Sequence, residues 1–167
     1  MIYYTQIKTK IGNLGLVRDN DNLLRILLPN EEILKQNLQK EYPNDVFIEN
    51  KFGFEDVIDQ LTEYFNGKRK HFTIKTKMTM SPFYKKVLTE VAKVPYGETA
   101  SYSQIAKKLN NPKAVRAVGS ANARNPIPII IPCHRIITNK GKLGGYAGGL
   151  KMKKNLLEFE KENYNND

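Results

Sequence analysis

The most restrictive stretch of this chain is Asn125-Pro126-Ile127-Pro128-Ile129-Ile130-Ile131-Pro132-Cys133-His134-Arg135-Ile136-Ile137. Its isoleucines favour buried, extended backbone, because β-branched side chains pack well on a pleated surface. Its prolines have no N–H to give to a ladder, so the stretch can be neither a central strand nor a helix interior. What remains is an edge or irregular extended segment, stiffened by proline, which the rest of the fold must wrap and which holds Cys133 at a fixed point. A flexible loop would not be this apolar.

Cys133 is the only cysteine in 167 residues, and there are two histidines. An internal disulfide is impossible and a structural zinc site would lack ligands, so neither metal nor cofactor is expected. Two roles stay open for the sulfur, a buried inert thiol or a working nucleophile. A nucleophile near neutral pH needs its pKa brought down from about 8.5 by positive charge, a helix terminus or a base. His134 can be that base. Neighbours in an extended chain point to opposite faces, so unless the backbone turns between them the relay from Cys133 to His134 runs through water. Glu160 is a candidate to orient the imidazole.

The length allows one large domain or two small ones. Tyr3 to Ile7 and Leu14 to Val17 flank a Gly12-Asn13 turn, and Leu23 to Leu28 follows Asp19-Asn20-Asp21-Asn22, which predicts three strands. Helices are expected over Glu31 to Gln39 and Phe54 to Phe65, where Val57, Ile58, Leu61 and Phe65 mark one face; His71 to Met80 reads as extended. Ser81-Pro82 caps a helix with Phe83, Val87, Leu88 and Val91 inward, ending near Pro95-Tyr96-Gly97. Tyr102 to Leu109, the turn Asn110-Asn111-Pro112, and Lys113 to Asn122 with Asn111 as its cap together suggest a helix-turn-helix. Glu158 to Asp167 is expected to fray. The fold class is thus an α+β N-terminal domain, residues 1–78, with a small antiparallel sheet plus helices, followed by a mainly α C-terminal domain, residues 79–167.

Charge separates these halves. Residues 1–80 hold 12 Lys or Arg against 11 Asp or Glu, whereas residues 81–167 hold 15 against 6. Between Ser81 and Leu157 only Glu90 and Glu98 oppose 14 basic residues, which suits a polyanionic partner. Within Lys113 to Asn122, Ala114, Val115, Ala117, Val118, Gly119, Ser120 and Ala121 are small or short, and Arg116 is the one long side chain at the centre. Such a helix can approach a groove closely. The apolar fraction is 40%, no run approaches the ~18 apolar residues of a membrane span, and no signal peptide opens the chain, so a soluble cytoplasmic protein is expected.

Ile-Pro-Cys-His-Arg-Ile-Ile around Cys133, preceded by Asn125-Pro126 and followed by Gly144-Gly145-Tyr146-Ala147-Gly148-Gly149-Leu150, resembles the O6-alkylguanine-DNA alkyltransferases. The likeness spans Ser81 to Glu160 and includes Asn-Pro-Lys-Ala-Val-Arg-Ala-Val-Gly; the first half matches in layout only. It implies DNA repair by a single, permanent transfer of an alkyl group from guanine O6 to Cys133, after the damaged nucleotide has been flipped from the duplex. It assigns His134 as base through water, Glu160 as its orienting carboxylate, and Asn125 as the brace between recognition helix and active-site segment. Tyr102 would contact the extruded base and its phosphate, while Arg116 would fill the gap left in the stack. Lys113, Ala114, Ser120 and Arg124 would join Tyr102 and Arg116 against DNA. Tyr146, Ala147, Pro128, Ile136 and Gly144 would surround the substrate. The implied partner is double-stranded DNA carrying alkylated bases, met by a monomer.

Some relatives carry serine where this chain has Ala147, which bears on substrate breadth, and some hold zinc through cysteines that this chain lacks. Relatives that bind lesions without repairing them lack the nucleophile. Two other readings are a noncatalytic helix-turn-helix DNA-binding protein or regulator, in which Cys133 is structural, and a cysteine hydrolase that turns over repeatedly.

Overall fold

The computed structural model describes residues 1–31 and 35–165, which form two compact units, Met1–Lys77 and Met78–Asp167. In the first, β1 (Ile2–Thr9), β2 (Gly12–Arg18) and β3 (Leu23–Leu27) form an antiparallel meander. Tyr3 pairs with Arg18 and Thr9 with Gly12, and the register shifts between Val17 and Arg18 where β2 meets β3. Gly12 closes the first hairpin with φ +114°, a conformation open to glycine at little cost.

The chain next forms α1 (Lys35–Glu41), β4 (Phe47–Glu49) and α2 (Glu55–Phe65). β4 lies parallel to β1, with Ile2 opposite Phe47, so the sheet order is β3-β2-β1-β4 and the sheet is mixed, not purely antiparallel as expected. Phe47 and Ile48 are half-buried and Glu49 is exposed, which gives no alternation to read, and a parallel partner becomes possible because α1 supplies the crossover. The expected helix over Glu31 to Gln39 is observed from Lys35 to Glu41; residues 32–34 lie outside those described. Leu14 to Val17 are all buried, which requires cover on both faces of β2. Val17 packs with Ile2, Tyr4, Leu24, Leu27 and Leu38 of α1, while α2 buries Val57, Leu61, Tyr64 and Phe65. The extended residues beyond α2 pair onto β3, where Leu23 N–H donates to Lys75 O at 2.8 Å and Lys77 N–H to Leu23 O at 3.0 Å.

The second unit opens with α3 (Pro82–Val91), whose Ser81 cap accepts from Tyr84 N–H. β5 (Ala100–Ser101) leads into α4 (Tyr102–Lys108) through a capping box, in which Ser101 accepts from Gln104 N–H and Gln104 accepts from Ser101 N–H. After Asn110, at φ +55°, comes α5 (Val115–Ala123). Asn111 is not its cap. Ala114 occupies that position with no side-chain bond, and Asn111 instead accepts Ala114 N–H through its carbonyl, because Pro112 and Lys113 spend the first turn reversing the chain.

Beyond a 3-10 turn at Cys133–Arg135, β6 (Ile136–Ile137) pairs in parallel with β5, and α6 (Leu150–Glu162) completes the unit. No element was anticipated at α6, and its helix runs into the stretch expected to fray. Residues through 165 are described, with turns at Asn163 to Asn165, and 166–167 lie outside. Its inward positions, Lys153, Leu156 and Glu160, have helical spacing, but two of them are charged and hide the apolar period. Among the described residues no helix is long and apolar enough to cross a membrane.

Candidate active site

Asn125 sits just after α5 and ties down both ends of the loop that follows. Its Nδ2 donates to Ile131 O at 2.8 Å, and its Oδ1 accepts from Ile127 N–H at 3.0 Å. Between them Ile129 is forced to φ +75°, a left-handed conformation that a β-branched residue adopts only under tertiary constraint. Proline stiffness and this brace set the direction in which the chain enters Cys133.

There the backbone turns, which the expectation of an extended segment did not include. Cys133 N–H donates to Ile131 O at 2.8 Å and Arg135 N–H to Pro132 O at 2.9 Å, closing the 3-10 turn. Cys133 and His134 consequently diverge. The sulfur side faces a cavity of about 490 Å3, while the imidazole turns into the protein interior.

His134 Nε2 lies 2.7 Å from Glu160 Oε1. A carboxylate accepts, so Nε2 carries the proton and Nδ1 keeps its lone pair; Nδ1 is buried and has no hydrogen-bond partner among the described residues. Glu160 is itself fully buried. Arg135 grips it with Nε on Oε2 at 2.8 Å and Nη2 on Oε1 at 2.9 Å, and Gly97 N–H reaches Oε2 at 3.3 Å. Burial pushes the Glu160 pKa up, but hydrogen bonds and charge from His134 and Arg135 outweigh it and hold the group at about 2. Burial lowers the pKa of His134, with Glu160 pulling the other way, so the imidazole rests neutral.

Cys133 overturns one expectation. The residue is 4% exposed, and burial raises the thiol pKa to about 11 against the opposing pull of the Asn125 side chain, the Lys153 charge and nearby backbone N–H groups. The resting sulfur therefore carries its proton, and His134 lies buried beside it on the next residue. Burial does not seal it in, since Cys133 lines the cavity.

Tyr102, Asn125, Pro128, Gly144, Tyr146 and Ala147 line the same cavity with Cys133. Gly144, at φ +70°, is fixed by Tyr102, whose hydroxyl would stand 2.8 Å from any Cβ placed there. Ile136 is not part of the lining; it is fully buried and its carbonyl accepts from Lys153 Nζ. Lys113, Ala114, Arg116, Ser120 and Arg124 lie outside the lining, on α5 or at its ends. Arg116 is exposed, and Arg124 leans on Tyr84, donating to its hydroxyl at 3.3 Å.

Two further residues were not picked out from the sequence. Asn122, on the buried face of α5, donates from Nδ2 to Cys133 O at 3.3 Å and also lines the cavity. Lys153 is fully buried, donates to Ile136 O and to Gly145 O at 3.2 Å, and has a pKa lowered by burial to about 8, with Cys133 opposing. A lysine among lysines offers no sequence signal; the only clue was its spacing of seven from Glu160. No group of three or more His, Cys, Asp or Glu that could hold a metal ion occurs among the described residues.

Two family models match the chain: 6-O-methylguanine DNA methyltransferase, ribonuclease-like domain, over residues 2–78, and 6-O-methylguanine DNA methyltransferase, DNA binding domain, over residues 82–162. The chain is 44% identical over 162 residues to the methylated-DNA–protein-cysteine methyltransferase of Methanosarcina mazei, covering 97% of this chain and 99% of that one. It is 39% identical over 171 residues to the constitutive enzyme of that name from Bacillus subtilis, covering 98% of each. Among solved structures, the Mycobacterium tuberculosis O6-methylguanine methyltransferase has a TM-score of 0.88 at 35% identity, over 100% of this chain and 97% of that one. OGT of the same organism in complex with DNA has a TM-score of 0.86 at 36% identity, over 96% and 94%. Because the likeness runs through both units and is as strong in coordinates as in residues, descent rather than chance accounts for it, and the chain belongs to the O6-methylguanine DNA methyltransferase family.

Proposed function

We propose that this chain repairs alkylated DNA as its relatives are named for doing, and that the acceptor is Cys133. The observation that carries this is a lone cysteine lining a cavity, with a neutral histidine beside it that is itself held by a buried carboxylate.

Guanine O6 is inaccessible within a stacked duplex, so the nucleotide must first swing out, which costs a few kcal/mol and least where alkylation has weakened pairing. Arg116 fills the gap, a reading supported by its exposure on a helix of small residues. With the base in the cavity, His134 Nδ1 takes the thiol proton through a bridging water while Glu160 stabilises the imidazolium. Lys153, buried near the sulfur, favours the thiolate as it forms. Sulfur attacks the alkyl carbon, the S–C bond forms as the C–O6 bond breaks, and the electron pair stays with the purine. Tyr102 gives the purine a proton and regains one from the imidazolium side, so protons balance and nothing else is consumed. A thioether has no easy leaving step, and each molecule acts once. The substrate is alkylated guanine in double-stranded DNA, with O4-alkylthymine within the same chemistry, met by a monomer in the cytoplasm.

Incubation with a duplex containing O6-methylguanine will add one methyl group, located on Cys133 by peptide mass, with no second addition in excess substrate. Cys133→Ala will bind the same duplex and gain nothing. Repeated turnover, or binding without mass change in reduced wild-type protein, would refute the assignment.

A further inference from the structure

Glu160 is buried, but one of its partners lies close to solvent. Gly97, which donates to its Oε2, sits in a turn closed by Glu98 N–H on Pro95 O at 3.1 Å and adopts φ +75°. Four residues beyond Glu160, in the turn that follows α6, Tyr164 lays its ring on that glycine. A Cβ at Gly97 would stand 2.3 Å from Tyr164 Cδ2, so ring and backbone are in direct contact. The Tyr164 hydroxyl donates to the exposed Glu98 at 3.5 Å, and the residue is 45% exposed. One side of the ring therefore meets water and the other covers the turn behind Glu160.

We propose that Tyr164 is a positioning residue for alkyl transfer, its ring closing the Pro95–Glu98 turn over the Glu160–His134 pair and keeping bulk water from the carboxylate that orients the base. This rests on the reading of His134 as base and Glu160 as its orienter. The groups facing the pair are Arg135 from the 3-10 turn, Lys153 from α6 and Tyr96 from the segment after α3, with Glu98 on the solvent side. Burial is the largest influence on His134. Water admitted behind Glu160 weakens that influence and returns the imidazole towards its ordinary value, so that it fills with protons, and stops acting as a base, at a higher pH. The contact with Gly97 is made by ring carbons, so the ring does the covering.

The test is the rate of methyl transfer from an O6-methylguanine duplex to Cys133 as a function of pH, with thermal midpoints alongside. Tyr164→Phe keeps the rate within about twofold and leaves the acid limb in place. Tyr164→Ala moves that limb upward by about one pH unit, with a loss of roughly tenfold on the limb. Tyr164→Leu shifts it less, in the same direction, and carries the test should Tyr164→Ala not fold. A lowered thermal midpoint with an unmoved limb in both the Ala and Leu variants overturns the proposal, as does Tyr164→Phe behaving like Tyr164→Ala. Glu160→Gln separates the two readings. If it leaves the limb in place, base and seal fall together; if it moves the limb while Tyr164→Ala does not, the seal alone falls.

Discussion

A carboxylate with no exposed surface is tolerable only while its partners hold. Glu160 has His134, two nitrogens of Arg135 and Gly97 N–H around it. Its folded pKa of about 2 lies below the ordinary 4.5, so its stabilising effect is complete above 4.5 and is lost as pH falls through about 2. His134, lowered by burial, acts in the same direction, since the unfolded chain gains its proton first on acidification. Glu160→Gln should cost roughly 3–5 kcal/mol in urea unfolding at neutral pH, because Arg135 is left buried with its charge unmatched. The gap from wild type should narrow as pH falls below 4.5; a gap that stays constant to about pH 2 would contradict the assignment. Cys133 and His134 were legible because a unique cysteine, followed by a histidine and preceded by three closely spaced prolines, is rare. Glu160 was only a guess from the residues, made firm by the resemblance. Lys153 and Asn122 were invisible, since their importance comes from burial and from a carbonyl that meets them only in three dimensions.

Along α5, residues of one face divide between the cavity and the exposed surface. Gly119, Asn122 and Ala123 face the cavity, whereas Arg116 is exposed. Removing the arginine should therefore impair extrusion of the base but not the chemistry. Arg116→Ala should slow transfer from a duplex by roughly a hundredfold, in line with losing a few kcal/mol of compensation for unstacking, and leave the reaction with free O6-methylguanine base within about twofold. Equal loss on both substrates would place Arg116 in the chemical step. Strands and helices with strong period were readable, including the two helices of the helix-turn-helix and, before them, the Ser81-Pro82 start of α3. β4 escaped because three residues cannot display a period, and α6 because Lys153 and Glu160 occupy its inner face. The cap of α5 was misassigned to Asn111 because asparagine favours both caps and turns, and here it serves the turn.

At the scale of the whole molecule the charge is uneven, with 15 basic against 6 acidic residues from 81 to 167 and near balance before. Phosphate contact should then dominate affinity for undamaged duplex. Binding measured by fluorescence anisotropy should weaken linearly in log-log form as salt rises, by about 0.9 for each phosphate neutralised, and vary little with sequence. A flat salt response would argue that the basic surface serves solubility instead. The contact pattern divides the chain after Lys77, and the two family models leave residues 79–81 between them. The change in composition near Ser81 is what the sequence offers at that point, while the path of the preceding extended residues onto β3 depends on contacts no local pattern reveals. A tool that works once must also survive until it is needed. With its sulfur protonated and the residue 4% exposed, Cys133 offers oxidants and stray electrophiles neither an anion nor easy access. The molecule can wait unspent in storage, its shelf life guarded by the same enclosure that, under the mechanism proposed above, makes it depend on His134 when a lesion arrives.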